Sequence, residues 1–438
     1  MTRITRGECK TPGGKLVAVN VELDTDGHIA SCHIDGDFFV EGADGDTDAL
    51  LRDLERVLID GESLRNALKN HPDARLVGTN AAAIETAFAR ALESAHRQSP
   101  SEDESGQAET GGDHSSQRIV ANGEAAICDG GASHDTTMRN GIPRGGVPRG
   151  GADCGDDIEC SADARWEALR RELVVIHDKP RSPQEQMTLD ERWAREVASG
   201  TRPPTLRFWE WAAPCVVIGR FQSAPDEVNL DVARERGFAV VRRCTGGGAM
   251  FIEPGNTITY SLYAPMGFVG GISIEDSYRL CDQWLVRALG ALGIDVRFSG
   301  LNDIASQTGK IGGAAQRRFP GMHVRGGFFG EPSETSRASN DAGVRDPSSI
   351  PHGSRAATSG GLCKATSNAS GAILHHVTLA YDIDAAAMGQ VLNTSREKLS
   401  DKAVKSAVKR VDPLKRQTGL TRDELVHYLI GEFGVPGC

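Results

Sequence analysis

Three consecutive glycines, Gly246, Gly247 and Gly248, follow the pair Arg242-Arg243 and stand between two strand-forming runs, residues 238–242 and 257–263. Few local features constrain a chain as strongly. Glycine accepts positive φ and lets the backbone approach another group closely, and successive amides can form a nest for an anion. With the arginines leading in, residues 242–251 read as a strand–turn–strand device that sets bare N–H groups and positive charge against a phosphate or an acyl phosphate. A triple glycine alone also suits a plain turn, so the segments downstream decide between the two.

The totals narrow the choice. A chain of 438 residues is too long for one ordinary domain, and two folded units with irregular segments are expected. A net charge of -11 argues against a protein that holds nucleic acid electrostatically. No apolar signal region follows Met1 and no 18-residue apolar run occurs, so a cytoplasmic protein with no membrane partner is expected. The ten cysteines are scattered, with no C-x-x-C pair and no His/Cys cluster at zinc spacing, which suits free thiols and no bound metal.

Residues 1–97 read as a small α+β unit. Val17, Val19, Val21 and Leu23 alternate along one strand, Asp26-Gly27 marks a hairpin, and Ala30, Cys32 and Ile34 share a face of the next. Leu50, Leu51, Leu54, Val57 and Leu58 fall at helical spacing, as do Ile84, Phe88 and Leu92. Residues 98–162 are rich in Ser, Gly, Asp and Glu, with no aromatic between Phe88 and Trp166, and are predicted to be a disordered linker. Residues 163–438 alternate helices with strands, broken by a Ser-rich, aromatic-free stretch at 331–370 that reads as a disordered insertion. A helix with Leu189, Trp193 and Val197 closes at Gly200. Capping patterns at Ser273–Asp276 and Thr421–Glu424 open two more. The class is α+β or α/β, and pattern alone does not choose.

The chemistry concentrates in three later segments. Lys310, between Gly309 and Gly312-Gly313, has little bulk around it, and reads either as a solvated loop lysine or as one whose ammonium enters a pocket. There it would touch a carboxylate oxygen and an α-phosphate, stabilise the charge that develops as the carboxylate attacks ATP, and later polarise the mixed anhydride. Asn302-Asp303 would orient substrate or hold Mg2+ on the phosphates, or simply end a strand. His375-His376 lies in an apolar run and reads either as one core and one surface histidine or as part of the site; with no third ligand it is not a metal centre. Cys244 beside the glycines has no local base and is not taken as a nucleophile. The basic cluster between Lys398 and Arg410 is a solvated helix face or a cover over the adenylate.

Taken in order, these segments resemble the lipoate–protein ligase family of the biotin/lipoate ligase superfamily. Arg242-Arg-x-x-Gly-Gly-Gly-Ala-x-Phe251 with Gly255-Asn256 is similar to its arginine and glycine-rich loop, Gly309-Lys310-Ile-Gly-Gly-Ala-Ala to its lysine loop, and Leu374-His-His-x-Thr-Leu379 to the strand that follows. The tracts 208–211 and 216–220 are similar to its opening strands. The resemblance implies a mixed α/β, biotin-ligase-like catalytic domain at 163–438. It also implies a two-step reaction: lipoate or octanoate and ATP give acyl-AMP, and the acyl group then passes to a lysine of a carrier domain. Carried over by position, Arg243, Gly248, Ala249, Met250, Phe251 and Lys310 would bind ATP, and Gly246, Gly247, Lys310 and His376 would bind lipoate. Lys310 would be catalytic, ATP the co-substrate with Mg2+, and the partners the lipoyl carrier domains of 2-oxoacid dehydrogenase complexes or the glycine cleavage H protein. Lys10-Thr-Pro-Gly-Gly-Lys15 and Ser31-x-x-x-x-Gly36-Asp37-Phe38-Phe39 resemble the family's separate accessory domain, which assists adenylation, here placed first in the chain. Two alternatives remain: an ATP-independent octanoyl or lipoyl transferase, and a non-catalytic protein that binds an acyl ligand or carrier domain.

Overall fold

The computed structural model describes residues 2–42, 44–97, 161–321, 371–393, 395 and 411–434. The linker expected at 98–162 (apart from Ser161 and Ala162), the insertion at 331–370 and the cluster between Lys398 and Arg410 lie outside the described residues.

The N-terminal part runs β1 (Arg3–Lys10), β2 (Leu16–Leu23), β3 (Ile29–Gly36), β4 (Phe39–Glu41), α1 (Asp44–Asp60), α2 (Leu64–Asn70), β5 (Arg75–Val77) and α3 (Ala81–Arg97). β1, β2 and β3 form an antiparallel sheet, and β4 pairs with β5. The alternation in β2 buries Val17, Val19, Val21 and Leu23 in one core with Leu50, Leu54 and Val57 of α1. In α3 the fully buried stripe is Ala83, Ile84, Ala87, Ala91 and Ala95, while Phe88 and Leu92 pack at its edge. Small side chains there let the helix lie close on β1 and β2.

The remainder begins with α4 (Ala162–Arg170), β6 (Val174–Arg181), α5 (Pro183–Ala198), β7 (Thr205–Trp211) and β8 (Cys215–Ile218). It continues through α6 (Ala224–Glu227), α7 (Leu230–Glu235), β9 (Ala239–Arg242), β10 (Met250–Ile252) and β11 (Thr257–Pro265). Then come α8 (Ile274–Ala291), β12 (Arg297–Ser299), β13 (Asp303–Ala305), β14 (Lys310–Pro320) and β15 (Gly371–Ala380). α9 (Ala385–Val391), α10 (Leu414–Thr418) and α11 (Arg422–Gly431) finish it. A seven-stranded sheet has the order β12-β13-β14-β15-β11-β7-β6, and β10-β8-β9 forms a smaller one, so the class is mixed α+β.

Capping residues mark the helix starts as the sequence predicts: Ser273 accepts from the Asp276 amide at α8, and Thr421 with Glu424 makes a full capping box at α11. Helices cover the large sheet on both faces. α8 packs on one face through Tyr278, Cys281, Leu285 and Leu289, and α5 on the other through Leu189, Trp193 and Val197. The central strand β15 is therefore buried along nearly its whole length.

The described residues close into one unit. The N-terminal part has its own core, yet it is bonded to the rest through the segment between β3 and β4. Gly36 N–H donates to Phe221 O (2.9 Å), the Phe38 and Phe221 rings stack 5.2 Å apart, and Gln222 Nε2 donates to Asp37 Oδ1 (2.7 Å). Glu41 and Arg318 form an ion pair at 2.6 Å. Burial pushes the Glu41 carboxyl up despite that partner.

Candidate functional site

The glycine turn leaves β9 and enters β10, and its shape is set from within. Arg243, only 4% exposed, bends its guanidinium back over the turn. Nε donates to Thr245 Oγ1 (3.0 Å) and Gly246 O (3.2 Å), Nη2 to Gly246 O (2.6 Å) and Gly248 O (2.9 Å), and Nη1 to Val217 O (3.2 Å). Burial lowers its pKa to about 10. The residue implied as an ATP ligand is thus also the clamp of the loop.

The turn's amides are not all bare, which corrects the sequence reading. Gly247, at φ +92°, donates its N–H to Phe38 O of the N-terminal part (3.3 Å). A Cβ on Gly246 would lie 2.5 Å from that same carbonyl oxygen. Glycine is required here because another backbone passes directly over the turn.

Lys310 is likewise not in a loop; it is the first residue of β14. The β13–β14 register slips between Ile304 and Ala305, so that Ile304 faces Gly312 and Ala305 faces Lys310. This bulge re-aims the lysine. Its Nζ lies 2.8 Å from Asp303 Oδ1 and 2.8 Å from where a Gly313 Cβ would be, so the glycine is the floor beneath the ammonium. The other side is fixed by the C-terminal segment. Asp412 N–H donates to Lys310 O (2.8 Å), and the Asp412 carboxylate accepts from Ser306 Oγ, Thr308 Oγ1 and Arg416. Burial works against that charge, yet these donors hold the Asp412 carboxyl below its ordinary range.

Asn302, beside Asp303, donates from Nδ2 to Ala314 O, accepts at its backbone O from Ala314 N–H (2.8 Å), and takes a bond from Lys15 Nζ at 2.7 Å.

Both histidines are buried, correcting the expectation of one surface residue. Adjacent on β15, they point to opposite faces, and each face is covered. His375, 0% exposed, meets Asp282 of α8 through Nε2 (2.7 Å) and Gln316 through Nδ1 (2.9 Å). His376 meets Asp190 of α5 through Nδ1 (2.6 Å) and Thr245 Oγ1 through Nε2 (2.8 Å). Burial lowers the His376 pKa, outweighing the carboxylate. The neutral tautomer satisfying both bonds has Nδ1–H donating to Asp190 and Nε2 accepting from Thr245.

These pieces surround one cavity of about 630 Å3. Its wall includes Gly247, Gly248, Ala249, Met250 and Phe251 of the turn, Asn302, Asp303 and Lys310 of the lysine corner, Arg243 and His376. Gly246 is not among the lining residues; it borders a small crevice beside Thr245 and Gln316. The sequence reading missed five charged contributors: Lys10, Lys15 and Asp37 from the N-terminal part, Glu227 of α6 and Arg297 of β12. The first two stand at the ends of the motif Lys10–Lys15, which carried a signal; Arg297 carried none. Among the described residues no cysteine borders the cavity. Burial raises the Cys244 thiol to about 12.

Among the described residues no helix is long and apolar enough to cross a membrane. A family model for the lipoyl protein ligase A/B catalytic domain matches residues 182–336 and 364–434. The octanoyltransferase LipM of an Exiguobacterium species is 36% identical over 135 residues, 31% of this chain and 46% of that protein. The LipM of Clostridioides difficile is 27% identical over 248 residues, 56% of this chain and 79% of that protein. The chain therefore spans less than half the length of the first of these relatives. Two solved structures are also similar. An archaeal bi-partite lipoate protein ligase from Thermoplasma acidophilum covers 60% of this chain and 82% of its own at 24% identity, with a TM-score of 0.39. A lipoate-protein ligase A bound with ATP covers 60% and 83% at 22% identity, with a TM-score of 0.40.

Proposed function

Because this chain belongs to the lipoyl protein ligase A/B catalytic domain family, we propose that it is an ATP-dependent lipoate–protein ligase. The observation that carries this reading is the composition of the cavity wall: Lys310, Lys15, Lys10 and Arg297 beside a glycine turn, with no thiol among the described lining residues. That wall suits an anionic nucleotide and a carboxylate. Among the described residues, the cysteine beside the turn, Cys244, has its thiol raised to about 12 by burial, which does not suit it as an acyl-carrying thiolate.

In the first step the carboxylate oxygen of lipoate or octanoate attacks the α-phosphorus. The bond to the bridging oxygen breaks and pyrophosphate leaves. In the second, a carrier lysine amine attacks the acyl carbonyl and AMP departs. Lys310, held by Asp303 and by the Asp412 clasp, supplies a preorganised positive charge for both steps. Arg243 keeps the turn in shape, and the Gly248 to Phe251 backbone faces the nucleotide. Asp303 and Asp37 line the cavity and would hold Mg2+ brought in by the phosphates, where it would screen the phosphate charge. The acceptors would be lipoyl carrier domains of 2-oxoacid dehydrogenase complexes or the glycine cleavage H protein, in the cytoplasm.

A second reading, an ATP-independent octanoyltransferase, is favoured by the names of the curated relatives. Pyrophosphate release separates the two. The ligase reading expects release that depends on both ATP and lipoate. Octanoyl transfer from an acyl carrier thioester with no ATP present would overturn it.

A further inference from the structure

The proposed reaction makes negative charge at two places, the acyl–phosphoryl junction and the departing pyrophosphate. Lys310 answers the first. For the second, the cavity wall offers further cations, Lys15 among them.

Lys15 directly precedes β2, and its ammonium donates to Asn302 Oδ1 at 2.7 Å and lies 5.8 Å from the centre of the Phe39 ring. Asn302 is anchored twice to Ala314 of β14. The next residue, Asp303, is the one that holds Lys310. Two ammonium groups far apart in the sequence therefore attach to consecutive residues of one corner. The stem of Lys15 is built in as well. Its N–H donates to Gly78 O (2.6 Å), and Gly78, at φ +84°, leaves the space where a Cβ would come 2.5 Å from Lys15 Cγ. Lys10 borders the same cavity. Fixing a long cationic side chain by a turn, a glycine, a ring and an amide oxygen costs rotamer entropy, and a preorganised charge facing a cavity is what that cost obtains.

We propose that Lys15 is a catalytic residue supplied by the N-terminal part: it binds the β- and γ-phosphates of the nucleotide and neutralises pyrophosphate as it leaves. This rests on the ligase reading above. The acyl oxygen–phosphorus bond forms, the phosphorus–bridging-oxygen bond breaks with its electron pair passing to pyrophosphate, and Lys15 gives up no proton.

The test uses the full chain and three readouts: calorimetric binding of inorganic pyrophosphate and of AMP, pyrophosphate release from ATP and lipoate, and transfer from synthetic lipoyl-AMP to a carrier domain. Lys15→Gln keeps the stem and removes the charge; Lys15→Arg keeps the charge. For Lys15→Gln, pyrophosphate should bind about 10-fold or more weakly, the scale of losing one charge-assisted hydrogen bond. AMP binding and transfer from lipoyl-AMP should stay within about twofold, and Lys15→Arg should restore most of the pyrophosphate affinity. Unchanged pyrophosphate binding overturns the proposal. So does equal loss of AMP and pyrophosphate binding, or of both half-reactions, because that marks a merely structural lysine. If the wild type itself releases no pyrophosphate, the ligase reading falls and takes the proposal with it. If the wild type releases it and Lys15→Gln does so equally well, the proposal alone falls.

Discussion

Lys15 and Asn302 are 287 positions apart in the chain, yet their side chains meet at 2.7 Å. Asn302 is also bonded to Ala314, so the N-terminal part is tied directly to the strand that begins with Lys310. The pocket wall is thus shared between distant stretches of sequence. Substitutions in either stretch should be felt in the other.

Lys310→Ala should lower lipoate-dependent pyrophosphate release by roughly 10²–10³-fold, the scale of losing one preorganised charge. Its side chain is 46% exposed, so the melting temperature should barely move. Near-normal release by this variant would remove Lys310 from the mechanism.

Asp412 touches the lysine only through the backbone, and its carboxylate gathers Ser306, Thr308 and Arg416 around the turn before β14. Asp412→Asn should cost about 1–3 kcal/mol in stability by leaving some of these donors poorly matched. It should also lower kcat more than it raises KM for ATP, because Lys310 is held less firmly. A kcat equal to wild type would show that the clasp does not position the lysine.

Much of the local structure was legible beforehand. The alternation in β2, the caps of α8 and α11 and the close of α5 at Gly200 depend on residues near one another, where period and capping chemistry act. Lys310 and the glycine turn stood out for the same reason. What could not be read was pairing across the chain. Asp190 and Asp282 look like ordinary helix residues until the sheet brings His376 and His375 to them. The sheet order, the bulge that aims Lys310 and the carbonyl of Phe38 over Gly247 are likewise products of tertiary contact.

Gly246→Ala puts a methyl group against the Phe38 carbonyl. We expect about 1–3 kcal/mol of destabilisation, typical of overpacking a close backbone contact. Limited proteolysis should show residues 1–97 becoming susceptible before the rest. Unaltered protection would mean that the turn can shift without releasing its neighbour.

His376 is kept below its ordinary value of 6.5 by burial, so the folded state resists its protonation. A depressed pKa means full stability above the unfolded value, lost as pH falls from about 6.5 toward the folded value. His376→Gln removes this group, so the wild type's stability advantage over the variant should shrink between about pH 7.5 and pH 5 in denaturant titrations. An advantage that grows on acidification would identify imidazolium paired with Asp190 as the folded form.

Cys244→Ser should retain adenylation and transfer within about twofold, since burial leaves the thiol protonated near neutral pH. Loss of acyl transfer with intact folding would revive the thioester route.

Gly36 with Phe221, Phe38 with Gly247 and Glu41 with Arg318 all meet through space, without regard to the direction in which the polypeptide was strung. A circular permutant that moves residues 1–97 behind residue 434 should consequently rebuild the same seam, and two separately expressed pieces should find each other at high enough concentration. Gene order would then be a matter of tethering, while the architecture stays as it is.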